Sequence, residues 1–500
     1  MKKTVEALLF FALAILLFCT PLTLEAKAAE ESPLTFTLNE DGKSYAVSGC
    51  KEDATGETTI PAAYEGLPVT AIGDSAFSGC HTLTEIIIPD SVTSLGSSAF
   101  SGCSALTKIA IPGSITTIAS SAFSECSSLT DVTICEGVTT LNSNVFYKCE
   151  NLTNISLPDS LLYFDNAAVV KNTAANRIFY GCDNLQYNIF DSGKYLGNAE
   201  NPYRFLIDTT SKDITALQIH KDTKVITAQA VSRCTKLTDV IIPEGITDIH
   251  GEAFRGSTAL HYNIFDNGKY LGSAQNPYFA LISPASTDIT SLQIHKDTKI
   301  IARKAAYFCK ELTQVIIPNG ITAISQGTFA ACNKLTNITI PNSVTSINDD
   351  AFFSCDNLTS VTIPNSVTSM GRGVFQGCTA LTEITIPDSV TSIGSFAFSY
   401  CDALKIIFAG SQKEWESIPD TSEISAPVTF LKNNTAENPK DENTPNKVPN
   451  EETDDDNKDQ DENTDGLNIG LIIGIAAGSA LVGGGIVALI IVLNAKKKKA

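Results

Sequence analysis

Cysteine is the residue type whose spacing in this sequence could support chemistry. The pentapeptide AFSGC occurs at residues 76–80 and again at 99–103, and cysteines recur at 23-residue steps in two runs. The runs are Cys80, Cys103, Cys126 and Cys149, and then Cys309, Cys332, Cys355, Cys378 and Cys401. Such thiols could form disulfides, bind a metal ion or fill space in a core. One thiol per repeat supplies no C-x-x-C ligand pair, which makes metal binding the weakest of the three.

The histidines and the known catalytic motifs do not indicate an enzyme. The sequence contains no G-x-S-x-G, H-E-x-x-H or G-x-x-x-x-G-K-[ST] motif. His220 and His295 occupy the same place in two copies of one segment, and His81, His250 and His261 fall in different repeats without an evident partner. We therefore predict a protein that is not an enzyme, with no catalytic residue, no cofactor and no metal site.

The repeat that carries the cysteines predicts a solenoid. Each unit follows I-P-x-S-[VI]-T-x-[IL]-x-x-x-A-F-x-x-C-x-x-L-T-x-[IV]-x, as in the unit that begins at Ile88. Leu106, Ile109 and Ile111 alternate with residues expected to face outward, as in a strand with one buried face, and Pro112 ends that strand. The A-F-x-x-C part has a short apolar cluster at helical spacing. One unit cannot bury its apolar face alone, so the units must stack.

This pattern resembles the BspA-like leucine-rich repeat family of surface proteins. The L-x-x-I-x-I-P strand, the A-F-x-x-C turn and the 23-residue period carry the resemblance, over roughly residues 44–418. EGLPVTAIGDSAFSGC resembles the family's first repeat, and IIFAGSQKEWESI, with the only tryptophan, Trp415, resembles its closing unit. The resemblance implies an α/β repeat solenoid of the leucine-rich-repeat class and, broadly, adhesion or the binding of a partner.

Stacking limits what the cysteines can do. Equivalent residues of adjacent coils lie ~4.8 Å apart with parallel side chains, whereas a disulfide needs Cβ atoms ~3.8 Å apart and turned toward each other. Ser257 stands at the same position between Cys234 and Cys309, so a small side chain without sulfur is accepted there. We predict buried, unpaired thiols, although exported proteins usually oxidise their cysteines. Cys50 and Cys135 are expected to lie off this ladder and too far apart to bridge.

A duplicated segment interrupts the array and supplies the candidate site. NIFDSGKYLGNAENPYRFLI and NIFDNGKYLGSAQNPYFALI, 75 residues apart, each predict a hairpin that projects from its coil, near residues 188–210 and 263–285. The candidate partner-binding residues are the aromatic residues of these hairpins, namely Tyr195, Tyr203, Phe205, Tyr270, Tyr278 and Phe279. The alternative is that these rings pack the hairpins onto the solenoid. The outward strand positions are mostly Thr, Ser and Asn, which either face a partner or stabilise the sheet.

The two ends of the chain indicate export and a membrane anchor. The basic start, the apolar run and the small-residue site before residue 29 are typical of a cleaved signal peptide, with acylation of Cys19 as the alternative. Residues 467–494 are apolar enough for a helix across a ~30 Å hydrocarbon core. The lysines at 496–499 predict that the tail stays in the cytoplasm. The acidic segment before the helix cannot bury enough apolar surface to fold.

The predicted domains follow from these features. They are a signal peptide (1–28), an N-terminal cap (29–59), the leucine-rich repeat solenoid (60–408), a C-terminal cap (409–431), a disordered acidic linker (432–466), a transmembrane helix (467–494) and a cytoplasmic lysine tail (495–500).

The partners follow from the charge, the anchor and the resemblance. The net charge of −20 leaves no basic patch for nucleic acid. Gly470, Gly474 and Gly478 could let two membrane helices pack as a dimer, or could reflect only the frequency of glycine in such helices. The predicted function is that of a membrane-anchored adhesin or receptor that binds a host or neighbouring-cell protein or glycan. The alternative is an envelope structural protein that binds a component of its own cell.

Overall fold

The computed structural model describes residues 33–51, 54–164 and 178–432. They form a β-solenoid in which most coils contribute one longer strand and one strand of two residues, and equivalent strands of successive coils pair in parallel. The predicted 23-residue period is the register of this pairing. Asp131, for example, pairs with Lys108 on one side and with Asn154 on the other. We call the two sets of strands the long-strand row and the short-strand row.

An antiparallel strand covers the N-terminal end of the solenoid. The strands of this end are β1 (Leu34–Leu38), β2 (Tyr45–Cys50), β3 (Gly56–Thr59), β4 (Ala63–Tyr64) and β5 (Leu67–Ile72). β1 pairs with β2 in antiparallel orientation, whereas β2 pairs with β5 in parallel and so begins the short-strand row. The ring of Phe36 stacks on that of Tyr64 with centroids 4.1 Å apart. The cap therefore shields an otherwise open sheet edge.

The first block of regular coils follows the predicted strand pattern. Its strands are β6 (Leu83–Ile87), β7 (Ser94–Leu95), β8 (Lys108–Ile111), β9 (Thr117–Ile118), β10 (Asp131–Ile134), β11 (Thr140–Leu141), β12 (Asn154–Ser156) and β13 (Tyr163–Phe164). The long-strand row has the order β12-β10-β8-β6-β3, and the short-strand row runs from β5 to β13. Leu106, Ile109 and Ile111 are buried, as the alternation predicts.

The A-F-x-x-C segments are turns, so the predicted α/β solenoid is corrected to a β-solenoid. The N–H groups of Phe100 and Gly102 donate to the carbonyl oxygens of Ala122 and Ser124 in the next coil. Because the next coil satisfies these groups, the segment does not need the bonds from residue i to residue i−4 of a helix. Ser98, just before the turn, has φ 55°, which a right-handed helix excludes. Within the described residues, the one α-helix is α1 (Gln412–Glu416).

Each duplicated segment forms a three-stranded meander joined to the short-strand row. The strands of this region are β14 (Asn188–Phe190), β15 (Gly193–Leu196), β16 (Phe205–Thr209), β17 (Ala216–Gln218), β18 (Val225–Ile226), β19 (Asp239–Ile241), β20 (Asp248–Ile249), β21 (Asn263–Phe265), β22 (Gly268–Leu271), β23 (Ala280–Pro284), β24 (Ser291–Gln293) and β25 (Ile300–Ile301). β15 pairs with β14 and β16 in antiparallel orientation, and β16 pairs in parallel with β18. The second copy repeats these pairings. The insertion is therefore part of the solenoid wall and not a hairpin that projects from it.

The last coils are regular and end in a helical cap. Their strands are β26 (Gln314–Ile316), β27 (Ala323–Ile324), β28 (Asn337–Thr339), β29 (Ser346–Ile347), β30 (Ser360–Thr362), β31 (Ser369–Met370), β32 (Glu383–Ile386), β33 (Ser392–Ile393), β34 (Lys405–Phe408) and β35 (Val428–Phe430). Ser411 and Glu414 form a capping box at the start of α1. Trp415 is buried against Phe408, with ring centroids 5.2 Å apart. This contact covers the apolar end of the last coil.

Two ladders of side chains fill the space beneath the A-F-x-x-C turns. The rings of Phe77, Phe100 and Phe123 stack with centroid distances of 4.8 and 5.1 Å. The Cys103 thiol donates to the carbonyl oxygen of Phe77 at 3.1 Å, and the same bond recurs in later coils. The cysteines of the predicted ladder are buried free thiols. The prediction of unpaired buried thiols is thus confirmed.

The predicted place of Cys50 was wrong. Cys50 lies within hydrogen-bonding contact of Cys80, so it continues the ladder by one rung into the N-terminal cap. The physical reason is that β2 pairs in parallel with β5, which stacks the cap as if it were a further coil. The sequence VSGC at the end of β2 matches the FSGC of the regular turns, although its spacing to Cys80 departs from the repeat.

Several predictions fall on residues outside the described ranges. These are the signal peptide, the acidic linker beyond Lys432, the transmembrane helix with its three glycines, and the lysine tail. Within the described ranges, no helix combines the length and the apolar character needed to span a bilayer.

Candidate functional site

Four of the six aromatic residues predicted to bind a partner lie in the core. Tyr195 and Tyr270 have no exposed surface, and Phe205 and Phe279 are buried with them. The hydroxyl oxygen of Tyr195 accepts a hydrogen bond from the His220 backbone N–H at 3.2 Å, and Tyr270 does the same for His295. These four rings offer no surface to a partner in the folded protein, and they pack the meanders onto the coils.

Tyr203 and Tyr278 are the half-buried members of the set. The Tyr203 ring stacks on the His220 imidazole at 3.9 Å with an interplanar angle of 19°, and Phe190 meets the same imidazole edge-on at 4.8 Å. His220 Nδ1 accepts the backbone N–H of Asp222 at 3.2 Å. The second copy repeats this cluster with Tyr278 and His295. For these two tyrosines, contact with a partner stays a prediction, and their rings also have a packing role.

The exposed tyrosine rings lie at the turns, outside the candidate site that the sequence predicts. Tyr180 is 59% exposed and stacks on Tyr147 of the preceding coil at 5.5 Å, and Tyr400 is 71% exposed. The ammonium group of Lys148 lies 5.3 Å from the centre of the Tyr147 ring. The first coils have Ser and Gly at these turn positions, at 78–79 and 101–102, and that contrast is the sequence signal that could have found them. We call Tyr147, Tyr180 and Tyr400 the turn tyrosines.

The long-strand row presents a mainly polar outer face. Thr339, Thr362 and Thr385 are exposed on neighbouring strands, as predicted for the outward positions. Exposed isoleucines interrupt this face near the meanders, and both Ile241 and Ile316 show about half of their surface. They are equivalent residues of the two duplicated copies.

A polar cleft of about 350 Å³ lies at the short strands of the last coils. Tyr163 of β13 forms one wall, and three consecutive coils, at residues 347–349, 369–372 and 392–395, form the other. Asp420, next to the 3-10 helix Thr421–Glu423, closes one end. The residues of the three coils belong to the short strands and to the two positions after them, so parallel stacking brings them together.

Arg303 holds the tyrosine wall of the cleft in place. Its guanidinium is buried, forms an ion pair with the Asp248 carboxylate and donates to the Leu162 carbonyl oxygen, 141 residues away in sequence. The same group lies 4.5 Å from the centre of the Tyr163 ring. Burial raises the pKa of Tyr163 to about 12, so the hydroxyl stays protonated at neutral pH. Next to Arg303, burial lowers the pKa of His250 to about 3, which keeps this imidazole neutral.

The carboxylates of the cleft are partly withdrawn from water. Burial raises the pKa of Asp349, and it raises the pKa of Asp350 directly behind the cleft to about 6. One oxygen of Asp349 accepts the backbone N–H of Arg372 at 2.8 Å. The guanidinium of Arg372 is exposed and makes no ion pair with another described residue. The cleft therefore offers an uncommitted cation next to carboxylate oxygens.

A row of charged residues was the sequence signal for this cleft. The second residue after the short strand is Ser97, Ser120 and Ser143 in the first block, whereas from β25 to β33 it is Arg303, Gln326, Asp349, Arg372 and Ser395. Because equivalent positions stack, charges at this position must gather on one side of the solenoid. Sequence reasoning did not compare the two blocks at this position.

No group of three His, Cys, Asp or Glu side chains in the described ranges is placed to hold a metal ion. The expectations of no metal, no cofactor and no catalysis stay predictions.

The comparisons with known proteins identify the repeat. A family model described as the BspA type leucine rich repeat region matches in six copies, over residues 66–176, 172–276 and 285–417. No curated protein matches.

Solved structures of bacterial repeat proteins are also similar. A leucine-rich repeat protein from Bacteroides ovatus is 24% identical, with 81% of this chain and 100% of that chain covered and a TM-score of 0.28. A leucine rich cell surface protein from Faecalibacterium prausnitzii is 25% identical, with 80% and 100% covered and a TM-score of 0.27. The pneumococcal vaccine antigen PcpA is 18% identical, with 82% and 100% covered and a TM-score of 0.31.

TM-scores this low establish no shared overall shape, so the assignment rests on the sequence match and on the coil register described above. The family model covers well over half of the chain. The 23-residue parallel register, the A-F-x-x-C turns and the buried strand positions agree with it. The chain belongs to the BspA-type leucine-rich repeat family.

Proposed function

We propose that this protein is a membrane-anchored cell-surface binding protein, an adhesin or receptor, that recognises a macromolecular partner through its extracellular repeats. Family membership supports the repeat as a binding scaffold, and the signal and anchor sequences support its place outside the cell. The family does not define the partner. We favour a protein of a host or neighbouring cell, because the exposed tyrosines match the residues that dominate protein interfaces.

The observation that carries the proposal is the exposure of Tyr180 and Tyr400, with the half-buried Tyr147 stacked on Tyr180. The phenylalanines of the A-F-x-x-C turns form the core ladder, whereas Tyr180 and Tyr400, like Phe396, are turned outward. An exposed ring contributes little to the stability of the free protein. It contributes most to the free energy of binding, when a partner covers it. Two stacked rings, Tyr147 and Tyr180, also lose little side-chain freedom on binding, because each already restrains the other.

A variant series on producing cells tests the proposal. Adhesion to immobilised host matrix proteins and to neighbouring microbes is measured for the wild type, for Tyr180→Ala and for Tyr400→Ala, each of which removes an exposed ring. We expect one of these variants to lower adhesion about tenfold with an unchanged Tm. Thr362→Ala, on the exposed strand face, is the matched control and should adhere normally. Normal adhesion by every tyrosine variant would contradict the proposed surface, and no adhesion by the wild type to any target would contradict the adhesin function.

A further inference from the structure

We propose that the polar cleft between Tyr163 and the last coils is a saccharide-binding site for one uncharged sugar unit of a glycan. The cleft lies on the short-strand side of the coils, and its residues are not the turn tyrosines. The inference therefore stands apart from the proposed function and can fail or succeed independently of it.

The size and lining of the cleft suit a small polar ligand. Its volume of about 350 Å³ lies near the lower end of the range of ligand sites in proteins, which is about 300–1,000 Å³. Sites for apolar ligands are lined mainly by hydrophobic side chains. Here Asn348, Ser369, Ser392 and Ser395 provide an amide and three hydroxyls, and each can both donate and accept hydrogen bonds. A ring that carries several hydroxyl groups could form hydrogen bonds with all of these donors and acceptors.

The charged residues add the planar groups that pair with neighbouring hydroxyls. Asp349 spends one oxygen on the backbone N–H of Arg372 and can accept further bonds through its other lone pairs. The Arg372 guanidinium carries five N–H donors and has no ion pair within the described ranges. A carboxylate and a guanidinium on adjacent coils can thus accept from one sugar hydroxyl and donate to the next.

Tyr163 supplies an aromatic ring to the cleft, beside the apolar side chains of Ile347 and Met370. Arg303 lies against its ring, and the ion pair of Arg303 with Asp248 holds that guanidinium in place. The tyrosine is therefore positioned before a ligand arrives, which lowers the entropic cost of binding. An aromatic ring can pack against the C–H groups of a sugar while its hydroxyl bonds to a sugar oxygen.

The charge of the cleft favours an uncharged sugar over an acidic one. Asp349 and Asp420 line the cleft and Asp350 lies behind it, whereas Arg372 is the only cation among the lining residues. The positive charge of Arg303 is offset by Asp248. A carboxylate or phosphate on the ligand would meet net negative charge, and like charges at short range repel.

Titration of the full-length protein in detergent with soluble oligosaccharides tests the site. The probes are cellotetraose, chitotetraose, maltotetraose and mannotetraose as uncharged ligands and tetragalacturonate as the acidic one, each followed by saturation-transfer NMR and calorimetry. We expect at least one uncharged probe to bind with a Kd of about 1 mM or tighter. Absence of binding by all four uncharged probes at about 5 mM, or preference for the acidic probe, would overturn the proposal.

Variants separate the cleft from binding elsewhere. Arg372→Ala and Asp349→Asn should each weaken binding about tenfold. Asp349→Asn keeps an oxygen for the Arg372 N–H, so the fold has little reason to change. Ser97→Ala, at the equivalent position of the first block, is the matched control and should bind normally. If Arg372→Ala lowers Tm, then Ser392→Ala replaces it. Full binding by both cleft variants would overturn the assignment to this cleft, and full binding by Tyr180→Ala is expected because that residue belongs to the other surface.

Discussion

The thiol of Cys126 donates a hydrogen bond to the carbonyl oxygen of Phe100 in the preceding coil, over 3.1 Å. The two residues are 26 positions apart, and the same separation joins Cys378 to Phe352 and Cys401 to Phe375. Burial raises the pKa of Cys126 to about 12, so the group stays a thiol and not a thiolate. The ladder is therefore a column of small hydrogen-bonded side chains. Its thiols react slowly with electrophiles, because the thiolate is the reactive form of cysteine.

This arrangement predicts the outcome of alkylation. In a sample isolated without reductant, the eleven buried ladder cysteines should resist iodoacetamide in the native protein and should become labelled after denaturation. Mass spectrometry of the peptides gives the count. Cys135, which is less buried, serves as the internal control and should label first. Ladder cysteines that stay unlabelled after denaturation without reductant would be oxidised, against this account.

The ring ladder should contribute more to stability than the thiol ladder. Phe352 is buried and stacks between Phe329 and Phe375, so Phe352→Ala should cost about 3–5 kcal/mol. Cys355→Ser keeps a donor for the Phe329 carbonyl oxygen, and Ser257 already makes the equivalent bond to Val231 at 2.6 Å. We expect this variant to cost at most about 1.5 kcal/mol. Thermal unfolding compares the two, and equal losses of Tm would contradict the assigned roles.

The meander tyrosines should now affect stability as well as any binding. Tyr203→Ala removes a ring that contacts both His220 and Tyr195, and Tyr278→Ala removes its equivalent. Because these rings are half-buried, each change should cost about 1–2 kcal/mol. Tyr180→Ala, which removes an exposed ring, is the control and should leave Tm nearly unchanged. The reverse ranking in thermal unfolding would show that the meanders pack differently.

Asp350 predicts a stability difference that depends on pH. Its pKa in the folded protein is about 6, above the ordinary value of 3.8, because burial penalises the charged form. The stabilising contribution is complete below pH 3.8 and is lost as the pH rises through 6, because the folded state holds the proton longer. Asp350→Asn cannot ionise, so at pH 7.5 it should be more stable than the wild type by about 1–3 kcal/mol.

The comparison of Asp350→Asn with the wild type uses Tm at pH 7.5 and at pH 4. The gain should be clear at the higher pH and nearly absent at the lower one. Asp402→Asn, an exposed carboxylate near the same end of the solenoid, should show no such change between the two pH values. A gain of equal size at both values would mean that the effect of the substitution is not one of ionisation.

The coil architecture could be predicted from the sequence because it depends on two local periods. Alternation in units such as Leu106 to Ile111 gives the buried face, and the recurrence of that unit gives the register. The conformation of the A-F-x-x-C segments was harder to predict than that of the strands, because the helical spacing of their apolar residues is also compatible with turns. Bonds to the next coil decide between the two, and a single unit contains no information on them.

The candidate sites depended on information that the sequence patterns lack. Tyr195 and Tyr180 are both tyrosines near insertions, yet one is in the core and the other at the surface. Strand pairing of the meander decides this, since β15 is flanked by strands on both sides. One wall of the cleft depends on the contact between Arg303 and Leu162, which are 141 residues apart in the sequence. No local sequence pattern predicts a contact of that range.

The most direct test of the central claim, surface exposure of a binding solenoid, is protease shaving of intact producing cells combined with antibodies against the repeats. The account predicts that antibodies label residues 33–432 on unpermeabilised cells and that trypsin releases fragments of this region. A cytoplasmic protein measured in the same sample controls for lysis. Repeats that stay hidden until the wall is removed would contradict an adhesin and would place the partner within the envelope of the same cell.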